Sequence, residues 1–115
     1  MLRRPVSVTE LPGYKRRADQ LLSEDEQDAL IDVIAYEPTC GVVIPGTGGL
    51  RKLRVAVGGS GKRGGARVIY YFYNEDFPVL LMTIFAKNER ADLTERQKKA
   101  SIRYAGEFVA QWQKK

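Results

Sequence analysis

With 115 residues the chain has room for one compact domain around one hydrophobic core, and no stretch is apolar for the length of a bilayer-spanning helix. One cysteine and no histidine exclude an internal disulfide framework, a zinc site and every Ser-His or Cys-His nucleophile. The net charge of +5 is concentrated: residues 38–74 hold six basic side chains and no acidic one, against five basic and eight acidic in residues 1–37.

In chain order, Pro5–Glu10 alternates apolar and polar residues and predicts a short strand, broken by Leu11-Pro12-Gly13. A short helix follows, with Tyr14, Ala18, Leu21 and Leu22 on one face. Ser23-Glu24-Asp25-Glu26 has the form of a capping box and opens a second helix. Ala29, Leu30, Val33 and Ile34 are its expected buried stripe, and Pro38 marks its end. Cys40 reads as a small half-buried loop residue. Val42–Gly49 is a loop with two turn signals, Pro45-Gly46 and Gly48-Gly49. Leu50–Val57 alternates cleanly, with Leu53, Val55 and Val57 on one side and Lys52, Arg54 and Ala56 on the other. Gly58–Gly65 is a basic, glycine-rich loop. Arg67–Tyr73 is an aromatic and β-branched strand, Asn74–Pro78 a turn, and Val79–Ala86 an almost wholly apolar, interior strand. Thr94-Glu95-Arg96-Gln97 caps a last helix with Ile102, Ala105, Val109 and Trp112 at helical spacing. The predicted class is therefore α+β, a single domain over residues 1–115 in the order β-α-α-β-β-β-α. A small antiparallel sheet is expected to carry its helices on one face and leave the other partly open.

Gly59, Gly61 and Gly64 match the spacing of a dinucleotide-binding loop, but that motif needs a helix after it, and here a strand follows. A nucleoside-triphosphate loop fails too, because Arg63 follows Lys62 where Ser or Thr is required. What remains is a hairpin loop bearing Lys62 and Arg63 between strands bearing Lys52, Arg54 and Arg67. Glycines admit phosphates close to backbone amides, and guanidinium groups hold them in bidentate fashion, so the pattern points to a phosphate backbone. A solvated hairpin tip is the plainer alternative. Bringing Lys52, Arg54 and Arg67 onto one face demands a particular pairing register, since a slip of one residue separates them. Antiparallel pairing across the last hairpin sets Arg67 opposite roughly Phe85 and places Lys87 at the same sheet end. Tyr70, Tyr71 and Tyr73 are candidates for stacking on bases, or for packing.

Three blocks carry a resemblance: Pro45–Arg54, Gly61–Tyr71, and Phe85–Glu89 with Asp92-Leu93. In this order and spacing they resemble the RelE/HigB toxins of type II toxin–antitoxin systems, closest to the HigB-like branch. The resemblance implies a microbial-ribonuclease-like fold and inhibition of translation by ribosome-dependent cleavage of mRNA in the A site, through attack of the 2′-OH on phosphate. It implies a basic catalytic set in which Arg67 comes first, with Lys52, Arg54 and Lys87 beside it and Lys62 and Arg63 as further companions; Arg51, Lys62, Arg63 and Tyr71 are the expected RNA-binding residues. Neither metal nor other cofactor is implied. The partners are mRNA, the ribosome and a cognate antitoxin of the helix-turn-helix kind. An acidic antitoxin segment over Lys52, Arg54 and Arg67 is expected on charge grounds. A tyrosine base near the C-terminus, present in some family members, has no counterpart just after Asp92-Leu93, and Lys52 and Lys87 both stay open as the proton acceptor. With no apolar run behind Arg3-Arg4, no secretory signal is expected, and the chain reads as cytoplasmic with no membrane partner. A non-catalytic RNA- or protein-binding module of the same fold, such as a phage or host-inhibitor relative, is the alternative. A protein-interaction domain whose basic block meets an acidic partner is a third reading.

Overall fold

The structure is a computed structural model that describes residues 4–57, 65–89 and 92–113. Its elements are β1 (Val8–Glu10), α1 (Pro12–Leu21), α2 (Glu24–Tyr36), β2 (Val42–Val43), β3 (Leu50–Val55), β4 (Ala66–Tyr71), β5 (Val79–Ala86) and α3 (Glu95–Gln113). The strands form one five-stranded sheet in the order β1-β5-β4-β3-β2. Among the described residues, no helix is long and apolar enough to cross a membrane.

Both capping boxes form. Ser23 Oγ accepts from Glu26 N at 3.1 Å while Glu26 Oε1 accepts from Ser23 N at 2.8 Å. Thr94 and Gln97 make the same reciprocal pair at 3.1 Å each, satisfying free amides at the start of α3. The α+β class and the three predicted helices therefore hold.

Three features of the expected layout are corrected. First, the sheet is mixed, because β1 runs parallel to β5, with Val8 beside Val79. The short links that dictate antiparallel pairing join only the later strands; a strand brought in from far along the chain is free of that constraint. Second, a two-residue strand, β2, lies within the expected loop, with Val42 beside Lys52. Its return turn is closed by Thr47, whose hydroxyl donates to Ile44 O at 2.6 Å and accepts from Leu50 N at 3.1 Å. Third, the helices do not share one face. Residues of α1 and α2 (Tyr14, Ala18, Leu30, Ile34) pack with Val68, Tyr70, Leu81 and Ile84, whereas α3 packs against Ile69, Tyr71, Leu80 and Phe85. Both sides of β4 and β5 are apolar, so each side needs a cover. The stripe of α2 is also narrower than expected: Leu30 and Ile34 are buried, but Ala29 is exposed and Val33 is 49% exposed.

β4 and β5 meet through a bulge, with Ile69 opposite Thr83 but Tyr70 opposite Leu81, which leaves Met82 as the extra residue. The shift lets the apolar residues of β5 serve both clusters. α3 covers only part of its face, and the uncovered part lies where β3, β4 and the end of β5 meet.

Candidate functional site

Alternation on β3 sends Leu53 and Val55 toward the cluster beneath α1 and α2, so Lys52 and Arg54 rise on the opposite side. The register places Arg54 directly opposite Arg67 on β4, and Arg67 in turn opposite Phe85 on β5. Directly opposite residues in an antiparallel pair share a face, so the two guanidinium groups project together. The ladder continues past β5, where Lys87 N donates to Gly65 O at 3.0 Å and fixes Lys87 beside the entry to β4. Lys52, Arg54, Arg67 and Lys87 then line one cleft of about 490 Å³ with Cys40, Val42 and Leu53. Among the described residues, no carboxylate lines it.

Gly65 makes the approach possible. Its φ is +57°, and a Cβ there would lie 2.3 Å from Val55 O. Only a residue without a side chain lets the chain enter β4 this close to β3. Arg67 is 8% exposed, with Nη1 donating to Ala66 O at 3.2 Å, so its guanidinium is held in place before any ligand arrives. Lys52 is one-third exposed and forms an ion pair with Asp92, Nζ to Oδ2 3.6 Å. The block Lys87-Asn88-Glu89 divides its roles. Lys87 faces the cleft, while the Glu89 carboxylate accepts from Ala86 N at 2.9 Å and pairs with Arg17 of α1, tying the turn to the scaffold.

A family model described as the RelE toxin of the RelE / RelB toxin-antitoxin system matches residues 45–115. The chain belongs to the RelE toxin family. The matched span includes β3, β4, β5 and α3, and with them every cation of the cleft. The RelE-type chain is thus one half of a toxin–antitoxin pair, and a cognate antitoxin goes with it.

The other residues singled out from the sequence are dispersed in this RelE-type fold. Arg51 alternates to the far side of β3, where Nη1 donates to Thr39 O at 3.2 Å and Gly41 O at 2.8 Å. It braces the connection between α2 and β2 rather than joining the cleft. Tyr71 is 7% exposed and packs in the α3 cluster, its ring 3.1 Å from where a Cβ of Gly49 would lie. Burial, reinforced by neighbouring Tyr73, raises the pKa of its hydroxyl. A base has no access to a ring so covered; Tyr73, stacked on it at 6.4 Å and 46% exposed, is the accessible one. Tyr70 is wholly buried, and its hydroxyl donates to Pro38 O and accepts from Gly41 N, both at 2.8 Å. Lys62 and Arg63 lie outside the described residues. Among the described residues, no group of three or more His, Cys, Asp or Glu side chains is placed to hold a metal ion.

Asp92 is the neighbour that the charge pattern did not single out. It sits in a conspicuous block of sequence, but its contact with Lys52 spans forty positions and arises only from the path of the chain after β5.

Proposed function

We propose that the chain is a ribosome-dependent mRNA endonuclease that halts translation, with residues 1–115 acting as one toxin domain in the cytoplasm. The observation that carries the reading is the convergence of Lys52, Arg54, Arg67 and Lys87 on one cleft that, among the described residues, no carboxylate lines. A cleft that gathers this much positive charge favours a polyanionic ligand.

RNA brings its own nucleophile. The 2′-oxygen attacks the adjacent phosphorus, the bond to the 5′-oxygen of the next nucleotide breaks, and a 2′,3′-cyclic phosphate is left. Arg54 and Arg67 hold the non-bridging oxygens, whose charge grows in the transition state. The ammonium groups of Lys52 and Lys87 stand ready to give a proton to the departing 5′-oxygen. Asp92, within 3.6 Å of Lys52 Nζ, brings a carboxylate to the edge of the cluster as acceptor of the 2′-OH proton. Lys62 and Arg63, outside the described residues, are phosphate-binding candidates on their charge alone. Positioning is the larger part of such catalysis, and the ribosome supplies it by stretching the message through the site.

The test is translation in a purified cell-free system, wild type against Arg67→Ala, with message ends mapped by primer extension. New 5′ ends on translated message alone, lost in the variant, are the expected result. Intact message with wild-type protein overturns the proposal and leaves a binding module.

A further inference from the structure

Lys87 follows the last residue of β5 and is exposed, on a turn rather than in the ladder. Its place in the cleft therefore depends on how that turn is held. Lys87 N donates to Gly65 O, which fixes the turn to the entry of β4. Glu89 N donates to Ala86 O at 3.0 Å, and Ala86 N donates to Glu89 Oε1 at 2.9 Å. These two bonds are reciprocal and close the turn Ala86–Glu89, with Lys87 between its ends.

The oxygen that closes the turn has a second donor. Glu89 Oε1 also accepts from Nη2 of Arg17, 72 positions earlier in the chain. The other arm of that guanidinium is held as well, Nη1 donating to Gln20 Oε1 at 2.6 Å within α1. α1 is itself anchored, since Tyr14 and Ala18 are wholly buried in the cluster that contains Leu81 and Ile84 of β5. A line of contacts thus runs from the packed core through Arg17 and the Glu89 carboxylate to the turn that carries Lys87. Arg17 lies off the cleft lining, and also outside residues 45–115, the span that the family model matches.

We propose that Arg17 is a positioning residue for Lys87: by holding Glu89, it sets where the Lys87 ammonium stands in the cleft. The inference rests on the reading of Lys87 as a proton donor in cleavage. Without Arg17 the Glu89 carboxylate loses its fixed partner on α1, and the turn is held by backbone contacts alone. The ammonium then samples positions away from the departing 5′-oxygen. A proton donor works only within hydrogen-bond reach, and a small displacement lowers the rate of the chemical step more than the binding of substrate. The two side chains of the pair are 32% and 46% exposed, so the pair adds little to overall stability.

The test is Arg17→Met in the full chain, with Arg16→Met, its exposed neighbour, as the control for loss of one positive charge. In the translation assay Arg17→Met is expected to lower the maximal cleavage rate about 10-fold with half-saturation unchanged, and Arg16→Met to alter neither. Added to Lys87→Ala, Arg17→Met is expected to bring no further loss, because it acts through the lysine. Amide exchange supplies a readout apart from cleavage. The Lys87 N–H is expected to exchange several-fold faster in Arg17→Met than in wild type, at an unchanged melting temperature. Glu89→Gln, which keeps an acceptor for Ala86 N but not the charge that Arg17 holds, is expected to show the same change in smaller measure. A Lys87 amide that exchanges as in wild type in both variants overturns the proposal. So do losses from Arg17→Met and Lys87→Ala that multiply in the double variant, or half-saturation raised equally by both arginine changes. If Lys87→Ala cleaves at the full rate, the proton-donor reading falls, while faster exchange at Lys87 in Arg17→Met still upholds the brace.

Discussion

Arg54 and Arg67 stand directly opposite one another on neighbouring antiparallel strands, and both rise on the face away from α1 and α2. Like charges directly opposite in a sheet disfavour one another, and a phosphate between the two guanidinium groups would offset that repulsion. Arg54→Ala is therefore expected to leave stability unchanged or to raise it by up to about 1 kcal/mol. Cleavage is expected to fall on the order of 100-fold. Urea unfolding and the translation assay, run side by side, check the opposed signs. A variant that loses stability and activity together would contradict the account.

Asp92 meets Lys52 at 3.6 Å, with the Asp92 side chain about half exposed. An ion pair so open to water adds little to stability, so Asp92→Asn is expected to shift unfolding by less than about 1 kcal/mol. As the proposed proton acceptor, the same change should slow cleavage on the order of 100-fold. Unaltered cleavage would remove Asp92 from the chemistry and leave its contact with Lys52 as a tether.

At Gly65, φ of +57° and a would-be Cβ at 2.3 Å from Val55 O act together. Gly65→Ala is expected to destabilise the protein by about 2 kcal/mol or more, because the left-handed backbone penalty adds to a clash with main chain that cannot swing aside. Displacing the entry to β4 also disturbs Arg67 and Lys87. Chemical denaturation of the variant measures the first effect, and a loss of cleavage reports the second.

The Tyr70 hydroxyl links Pro38 O and Gly41 N, each at 2.8 Å, and so pins the connection between α2 and β2. Tyr70→Phe leaves both backbone groups without that partner and is expected to cost about 1–3 kcal/mol in thermal or urea unfolding. Gly41→Ala strikes the same contact from the other side, since its Cβ would lie 2.8 Å from the Tyr70 ring.

Burial raises the pKa of Tyr14, Tyr70 and Tyr71 above the ordinary tyrosine value of 10.0. For Tyr14 the carboxylates of Glu10 and Asp19 add to the effect. The folded chain therefore holds these phenolic protons more tightly than the unfolded chain does. Their contribution to stability is whole below about pH 10 and is lost as pH rises beyond it. Absorbance at the phenolate band should rise at higher pH in the native protein than in urea. Coincident curves would refute the assignment.

Much of this protein was legible before any fold was known, and the legible part is local. A capping box needs only residues three apart, and both formed where Ser23 and Thr94 announced them. Two-residue alternation sorted Lys52 and Arg54 from Leu53 and Val55 without reference to anything beyond β3. The short turn between β4 and β5 was enough to set Arg67 opposite Phe85. What periodicity cannot say is what will cover a face once residues share it. Tyr71 looks like a stacking platform on its strand, yet it packs in the α3 cluster; Ala29 and Val33 look buried on their helix, yet both are exposed. Arg51, one residue from Lys52, is lost to the cleft because the carbonyls of Thr39 and Gly41 lie on its side of β3. The sequence by itself determined which residues could act together, because alternation and capping are short-range. Only the tertiary structure decided which of them do, because burial and ion pairing depend on segments that meet across the chain.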